Sequence, residues 1–181
     1  MWKTVKIKVE QLDAVTFAPY GHVIRSFEER KPDRVKGEYI KAAYTANSEC
    51  SDPPKDGPGW YEPNKDRVPI SEGLQRAHFA FHTDAGQSFF PSKGRPSVFL
   101  VGGVGQNMPA EEYRAFYSDG SLGVCLHLGV WHTMPICVDG GEVYQTMRGD
   151  QDYQAHSVEA DYDLRYGVAI EPDMENFDPA R

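Results

Sequence analysis

Four of the six histidines, His78, His82, His127 and His132, fall within 55 residues of one another. Imidazole is the side chain best suited both to move protons near neutral pH and to ligate borderline divalent ions. His78 and His82 are four apart in the alternating stretch "LQRAHFAFHT" (74–83), so a strand there turns both to one face, together with Ala80. Five residues past His82 stands Gln87, whose side-chain oxygen can ligate a metal or hold a substrate amide. Further on, "HLGVWH" (127–132) sets His127 and His132 around Trp131. Gly123 and Gly129 allow tight turns there, which leaves the relative facing of these two histidines open. Two or three imidazoles from neighbouring strands plus one oxygen donor would make an open, catalytic kind of metal site. The competing reading is a set of histidines hydrogen-bonded in the core or at a barrel rim. His22 and His156 lie in segments that read as peripheral.

Lys93 and Arg148 follow or end strands in runs that turn at glycine, where their charges face either a ligand carboxylate or plain solvent. Glu142 and Asp139 flank "GG" (140–141) and read as hairpin-turn residues rather than catalytic acids. The glycines of "VGGVGQN" (101–107) contain no GxGxxG and precede no helix of useful length, so no nucleotide cofactor is expected. No serine or cysteine nucleophile signature stands out.

The elements that must carry these residues are strands. Period-2 alternation marks residues 5–12, 37–45, 74–83, 96–104, 113–119, 142–149 and 163–170, each bounded by Gly, Pro, Asp or Asn. Short strands with turn signals between them predict an all-β antiparallel sandwich or barrel with few, short helices. The helical candidates are 12–21, with Asp13 as cap, and a turn over 108–114, with Pro109 suited to a first helical turn. Residues 51–69, "SDPPKDGPGWYEPNKDRVP", hold five prolines and two glycines and predict a long loop. Trp60 and Tyr61 give that loop an apolar face for a cavity or a partner subunit. The acidic end, 171–181, is expected to trail along the surface.

Composition narrows the class. At 181 residues, 40% hydrophobic and 25% charged, the chain fits one ordinary globular domain. A net charge of -8 and no basic block argue against nucleic acid. The stretch "SVFLVGGVG" (97–105) is far too short to span a bilayer, and the start has no apolar signal core, so a cytoplasmic location is expected without membrane attachment. Cys50, Cys125 and Cys137 lack CxxC spacing and are expected as reduced thiols.

With these residues in hand, the chain resembles the ureidoglycolate lyase family, small cupin-fold enzymes of allantoin breakdown. "FAPYGHVI" (17–24) is similar to the family's Phe-x-x-Tyr-Gly-x-Val-Ile opening, and "HTDAGQSFFPSKG" (82–94) to its His-x4-Gln-x-Phe-x-Pro-x-x-Gly stretch. Gly123, Val124, His127, Val130, Trp131 and His132 fall in register with its Gly-Val-x-x-His-x-x-Val-Trp-His-His-Pro block. The resemblance implies a cupin-like β-barrel with an internal pocket, a divalent transition metal in some members, and cleavage of (S)-ureidoglycolate to glyoxylate and urea. It makes His82, Gln87 and His132 the inner polar set and metal ligands, with His78 as a substitute ligand and His127 as a proton carrier. Lys93 and Arg148 become carboxylate anchors, beside Gln87 as a substrate contact, and Glu142, at a position where the family carries an acid, joins His127 and His132 as a catalytic candidate. A small carboxylate substrate and a homodimer are implied as partners. The chain departs from the pattern at Ala80, where a glutamate is expected, at Thr133, the second histidine of the pair, and at Met147, an acid. These losses leave room for a different small hydroxy or keto acid, or for a cupin that only binds its ligand.

Overall fold

The computed structural model describes residues 2–45, 73–105, 108–139, 141–150 and 155–180. The 51–69 segment, with Trp60 and Tyr61, and Cys50 lie outside the described residues. In chain order the described strands are β1 (Lys3–Gln11), β2 (Gly21–Ile24), β3 (Ile40–Thr45), β4 (His78–His82), β5 (Ser88–Pro91), β6 (Ser97–Val104), β7 (Arg114–Ser118), β8 (Gly123–Leu126), β9 (Val130–His132), β10 (Ile136–Cys137), β11 (Val143–Arg148), β12 (Ser157–Asp161) and β13 (Val168–Asp173). One sheet runs β12-β4-β9-β6-β7-β1-β13 with β10 added to β6, and the other runs β2-β8-β5-β11-β3. Curled over one another, they make the cupin-like all-β fold that the alternation predicts.

The core follows from strand periodicity. In β1, Val5, Ile7 and Val9 point inward while Lys6 and Lys8 point to water. Between the sheets, Phe99, Val101 and Phe116 of the large sheet meet Phe89, Val124 and Tyr144 of the small one, around Phe17. The other face of the large sheet is closed by a second cluster in which Phe79, Tyr113 and Tyr162 pack ring on ring. Buried on both faces, β6 can be the near-continuous apolar run that the sequence shows. Each fully buried phenylalanine contributes about 1.5–3 kcal/mol of transfer free energy, enough to pin the register of two sheets whose side chains alternate.

Several expectations change. Most strand pairs are antiparallel, but β1 lies parallel to both β7 and β13. The stretch 163–170 is not one strand: Tyr162–Tyr166 forms a helical turn, α1, closed by Gly167 at φ 64, and only then does β13 begin. Residues 12–21 do not form a helix. Asp13 still acts as a cap, its Oδ1 accepting from the amides of Val15 (2.8 Å) and Thr16 (3.0 Å), but turns follow instead, since Pro19 removes a helical donor. Over 108–114 only Ala110–Glu112 is helical, a single 3-10 turn that Pro109 precedes in extended conformation. The acidic end does not trail. Glu171–Asp173 complete β13, Glu175 accepts from Lys6 Nζ at 2.8 Å, and Phe177 packs on Tyr117.

Candidate active site

His82 ends β4 and His132 ends β9, strands that pair through Ala80 opposite His132. After His82 the chain bends through 83–87 and re-enters as β5 in the other sheet, so Gln87 stands where the two sheets part. Three atoms meet there: Gln87 Oε1 lies 2.8 Å from His82 Nε2 and 3.0 Å from His132 Nε2. Gln87 Nε2 donates to Thr146 Oγ1 on β11 (3.1 Å), which fixes the amide plane. His82 Nδ1 is held by Ser157 Oγ of β12 at 2.8 Å. Both rings are almost fully buried, at 6% and 7% exposure.

Gly129 explains how His132 arrives. At φ 79, a conformation that favours glycine, it turns β8 toward β9, and its N–H donates to the His82 carbonyl at 3.1 Å. His132 Nδ1 then faces the carbonyl oxygen of Val130, two residues back, at 2.9 Å. A carbonyl only accepts, so Nδ1 carries the hydrogen and Nε2 keeps its lone pair. Burial pushes the His132 pKa down to about 3, with the neighbouring His82 adding to the effect, so the ring is neutral at pH 7. The His82 pKa is lowered as well, first by burial and in smaller part by Arg148, against the opposing pull of the Gln87 hydrogen bond and of Asp84.

A lone pair on His132 Nε2 facing an amide oxygen is repulsive unless the amide turns to donate or a cation lies against both. Two imidazoles and an amide oxygen are donors that a divalent ion accepts, but tetrahedral bonds of about 2.1 Å place neighbouring ligands about 3.4 Å apart, so the 2.8 and 3.0 Å contacts are hydrogen-bond distances that a bound cation would have to widen. No group of three or more His, Cys, Asp or Glu among the described residues is placed to hold a metal, so a cation held by these histidines would need Gln87 as its third donor. The carbonyl on His132 Nδ1 and the hydroxyl on His82 Nδ1 are the outer-shell partners that orient imidazole ligands.

The remaining predicted residues divide. His127 Nδ1 is paired with Asp33 Oδ2 at 2.8 Å, and His22, expected to be peripheral, packs edge-on against it at 4.8 Å between ring centres. Asp33 belongs to the rim strip 33–35, which binds the bend: Gly86 N–H donates to the Asp33 carbonyl (2.6 Å) and Val35 N–H to that of Asp84 (2.9 Å). Arg148 ends β11 on the face of Thr146, within electrostatic reach of His82. His78 is held by β12: its Nδ1 is bound to Asp161 Oδ1 at 2.8 Å, four residues along the strand from His82, though it is near enough to act electrostatically on His132. Lys93 and Glu142 lie at the opposite end of β5 and β11. Lys93 Nζ donates to the Gly141 carbonyl (2.9 Å), and the Glu142 carboxylate accepts from the amides of Lys93 (2.9 Å), Arg95 (2.8 Å) and Val143 (2.6 Å). At about 3.3 Å per strand residue, Glu142 is some 13 Å from Thr146 and Lys93 about 20 Å from Gln87. The structure gives these two a turn to hold and no place beside the histidines.

Of the three departures, Ala80 and Thr133 touch the site. Ala80 shares the face of His82, and Thr133 packs beside His132 among Phe89, Phe99, Val101 and Val124, with no space between them for even a water molecule. Met147 is buried on the other side of β11 from Thr146 and Arg148, so its loss of charge leaves the trio's face unaltered. Cys125 and Cys137 are free thiols, and burial pushes Cys125 up to about 12, so it is protonated and unreactive. Sequence reasoning missed Asp33 and Asp84, acids in segments with no periodic signal.

Fold and site together define an all-β enzyme of cupin-like architecture whose polar centre is two neutral imidazoles and an amide at the seam between its sheets. The sequence profile of the ureidoglycolate lyase family matches residues 4–165, and the chain belongs to that family, lyases acting on a small carboxylic acid. It is 29% identical to the ureidoglycolate lyase of Pseudomonas savastanoi pv. phaseolicola over 128 residues, 70% of this chain and 73% of the relative. Against the ureidoglycolate lyase of Pseudomonas syringae pv. tomato it is 28% identical over 127 residues, 70% of this chain and 72% of the relative. The departures at Ala80 and Thr133 are those of a divergent member. No helix among the described residues is long and apolar enough to cross a membrane.

Proposed function

We propose that the chain cleaves ureidoglycolate to glyoxylate and urea. The observation that carries this reading is the convergence of His82 Nε2 and His132 Nε2 on Gln87 Oε1 inside a barrel of this family. In the reaction the substrate's hydroxyl loses its proton, its C–O bond becomes the aldehyde carbonyl, the C–N bond breaks, and the departing nitrogen gains a proton to give urea. No atom is added, so the protein must accept one proton and return one.

His127 is suited to both transfers. Asp33 on Nδ1 orients the ring, which leaves Nε2 to take the hydroxyl proton and hand one to the leaving nitrogen. Arg148 holds the substrate carboxylate with its planar guanidinium. A divalent transition ion held by His82, His132 and Gln87 would supply Lewis-acid polarisation of the substrate hydroxyl and carboxylate. The buried ring and amide edges exclude water from that contact. The departures from the family pattern at Ala80 and Thr133 favour a related reading, in which the same trio serves another small hydroxy or keto acid.

The test is metal analysis of purified protein together with assay of urea and glyoxylate released from ureidoglycolate. Turnover that falls at least about a hundredfold in His132→Ala and in His127→Ala, with the fold intact, is expected. Wild-type activity in His132→Ala would overturn the assignment.

A further inference from the structure

With Gln87 Oε1 against both imidazoles, three polar groups of the trio are left unsatisfied. His132 Nδ1 gives its hydrogen to the Val130 carbonyl, so Nε2 meets Oε1 at 3.0 Å as one acceptor against another. A second hydrogen on Nε2 would make the ring a buried cation whose nitrogens touch only an uncharged carbonyl and an uncharged amide, which desolvation disfavours. On the far side of the amide, Thr146 is fully buried, and its hydroxyl accepts from Gln87 Nε2 at 3.1 Å. That leaves the hydroxyl hydrogen without an acceptor among the described residues, and one of the two amide hydrogens idle. A half-turn of the amide answers all three. Oxygen and nitrogen exchange places at the end of the side chain, so the contacts stay at 2.8, 3.0 and 3.1 Å while every role reverses. The two amide hydrogens then donate to His82 Nε2 and His132 Nε2, and the Thr146 hydroxyl donates to Oε1. One hydrogen bond is gained and one contact between acceptors removed, at a side chain only 5% exposed, where water cannot make good the loss.

We propose that Gln87 is a positioning residue with two settings: without a cation its NH2 group faces both histidines and Oε1 faces Thr146, and with a divalent ion in the site it stands turned, Oε1 beside the imidazole lone pairs and Nε2 donating to Thr146. This rests on the trio as the functional centre assigned above, and not on the reaction assigned to it. Both settings keep the same imidazole tautomers, with the hydrogen of His132 on Nδ1 toward Val130 and that of His82 on Nδ1 toward Ser157 Oγ at 2.8 Å. Neither ring has to shed or move a proton for an ion to enter, so the amide alone rearranges. Thr146 makes the turn possible, because a hydroxyl donates in one setting and accepts in the other. The resting amide thus holds two lone pairs in place with two hydrogens, and an ion must displace those hydrogen bonds before it can use them.

The experiment is nuclear magnetic resonance on the full-length, isotope-labelled protein, first stripped of metal with EDTA and then saturated with zinc chloride, with Gln87→Glu identifying the Gln87 amide signals by their loss. In the stripped protein the two amide protons are expected to cross-relax with the ring protons of His82 and His132 and to exchange slowly with water. With zinc they should cross-relax instead with the side-chain protons of Thr146. Calorimetry supplies a second readout: Gln87→Glu presents an oxygen in either setting, gives up no hydrogen bonds to the imidazoles, and should bind zinc about tenfold more tightly than wild type. Amide protons against Thr146 in the stripped protein, amide protons that stay with the histidines at zinc saturation, a Gln87→Glu affinity no higher than wild type's, or no zinc binding by wild type would each overturn the inference. Release of urea from ureidoglycolate is followed in parallel: no turnover from an amide that turns as described removes the lyase reading and leaves the two settings standing, whereas turnover with a fixed amide does the reverse.

Discussion

Glu142 separates a structural from a catalytic carboxylate. It is fully buried at the start of β11, and its two oxygens accept from the amides of Lys93, Arg95 and Val143. Replacement by alanine leaves those amides without an acceptor. Each buried donor left unsatisfied costs about 1–3 kcal/mol, and residues 92–95 are exposed, so water recovers part of the loss. A net destabilisation of about 2–4 kcal/mol follows for Glu142→Ala and about half that for Glu142→Gln, which keeps one acceptor oxygen. At roughly 2–4 °C per kcal/mol for a domain of this size, the alanine variant should melt about 5–15 °C lower. Guanidinium unfolding and steady-state turnover of ureidoglycolate, the latter far below either melting temperature, distinguish the roles. Both variants should unfold at lower denaturant and retain turnover within about threefold, since the group lies some 13 Å along β11 from Thr146. An unchanged unfolding midpoint in Glu142→Gln with a hundredfold loss of turnover would refute this and return Glu142 to the catalytic set.

Three further outcomes follow. His132 is neutral in the folded chain down to about pH 3 and titrates near 6.5 when unfolded, so the unfolded chain takes up protons first on acidification. Stability is therefore full above about pH 6.5 and falls below it by up to ~1.4 kcal/mol per pH unit, with the lowered His82 adding to the slope; denaturant midpoints of His132→Gln should depend less on pH, and equal slopes would contradict the burial argument. Gly149→Ala should destabilise wild type through the clash with Asp84 Oδ2 and much less in an Asp84→Ala background, a coupling that a double-mutant cycle measures directly. Cys125, buried with a thiol pushed up to about 12, should resist iodoacetamide in the native state and react on unfolding; rapid native labelling would place the β2–β8 pair at an open edge instead.

Much of the fold was legible because burial on one face enforces a period of two, which β1 carries most fully, and because β6 stands out as a near-continuous apolar run between turn signals. Strands of two and three residues, β10 and β9, are too short for a period to register, and β5 and β8 are buried on both sides and so do not alternate. Helix α1 was hidden because Asp163, Leu164, Arg165 and Tyr166 alternate as a strand would; Gly167 was the overlooked signal of a left-handed helix end. His82 and His132 could be singled out from residue type and from a shared pattern. Glu142 and Lys93 carried the same kind of signal and are elsewhere, because a motif preserves positions whose reason is a turn as faithfully as positions whose reason is chemistry.

The trio's geometry was out of reach for a different reason. His82 and Gln87 meet only because four intervening residues turn the chain from one sheet into the other, and the angle of that turn is set by the rim strip: Arg34 bridges Ala85, and the amides of Gly86 and Val35 are tied to Asp33 and Asp84. None of those bonds involves a residue with a sequence signature. The same strip holds Asp33 against His127, so the segment that aims Gln87 at the imidazoles also positions the histidine proposed as proton carrier. A change in the rim therefore acts on both at once. Loss of Asp33 removes the partner of His127 without freeing the bend, which its backbone carbonyl still holds, whereas a proline at Val35 deletes the donor to Asp84 and loosens Gln87, Asp84 and His127 together.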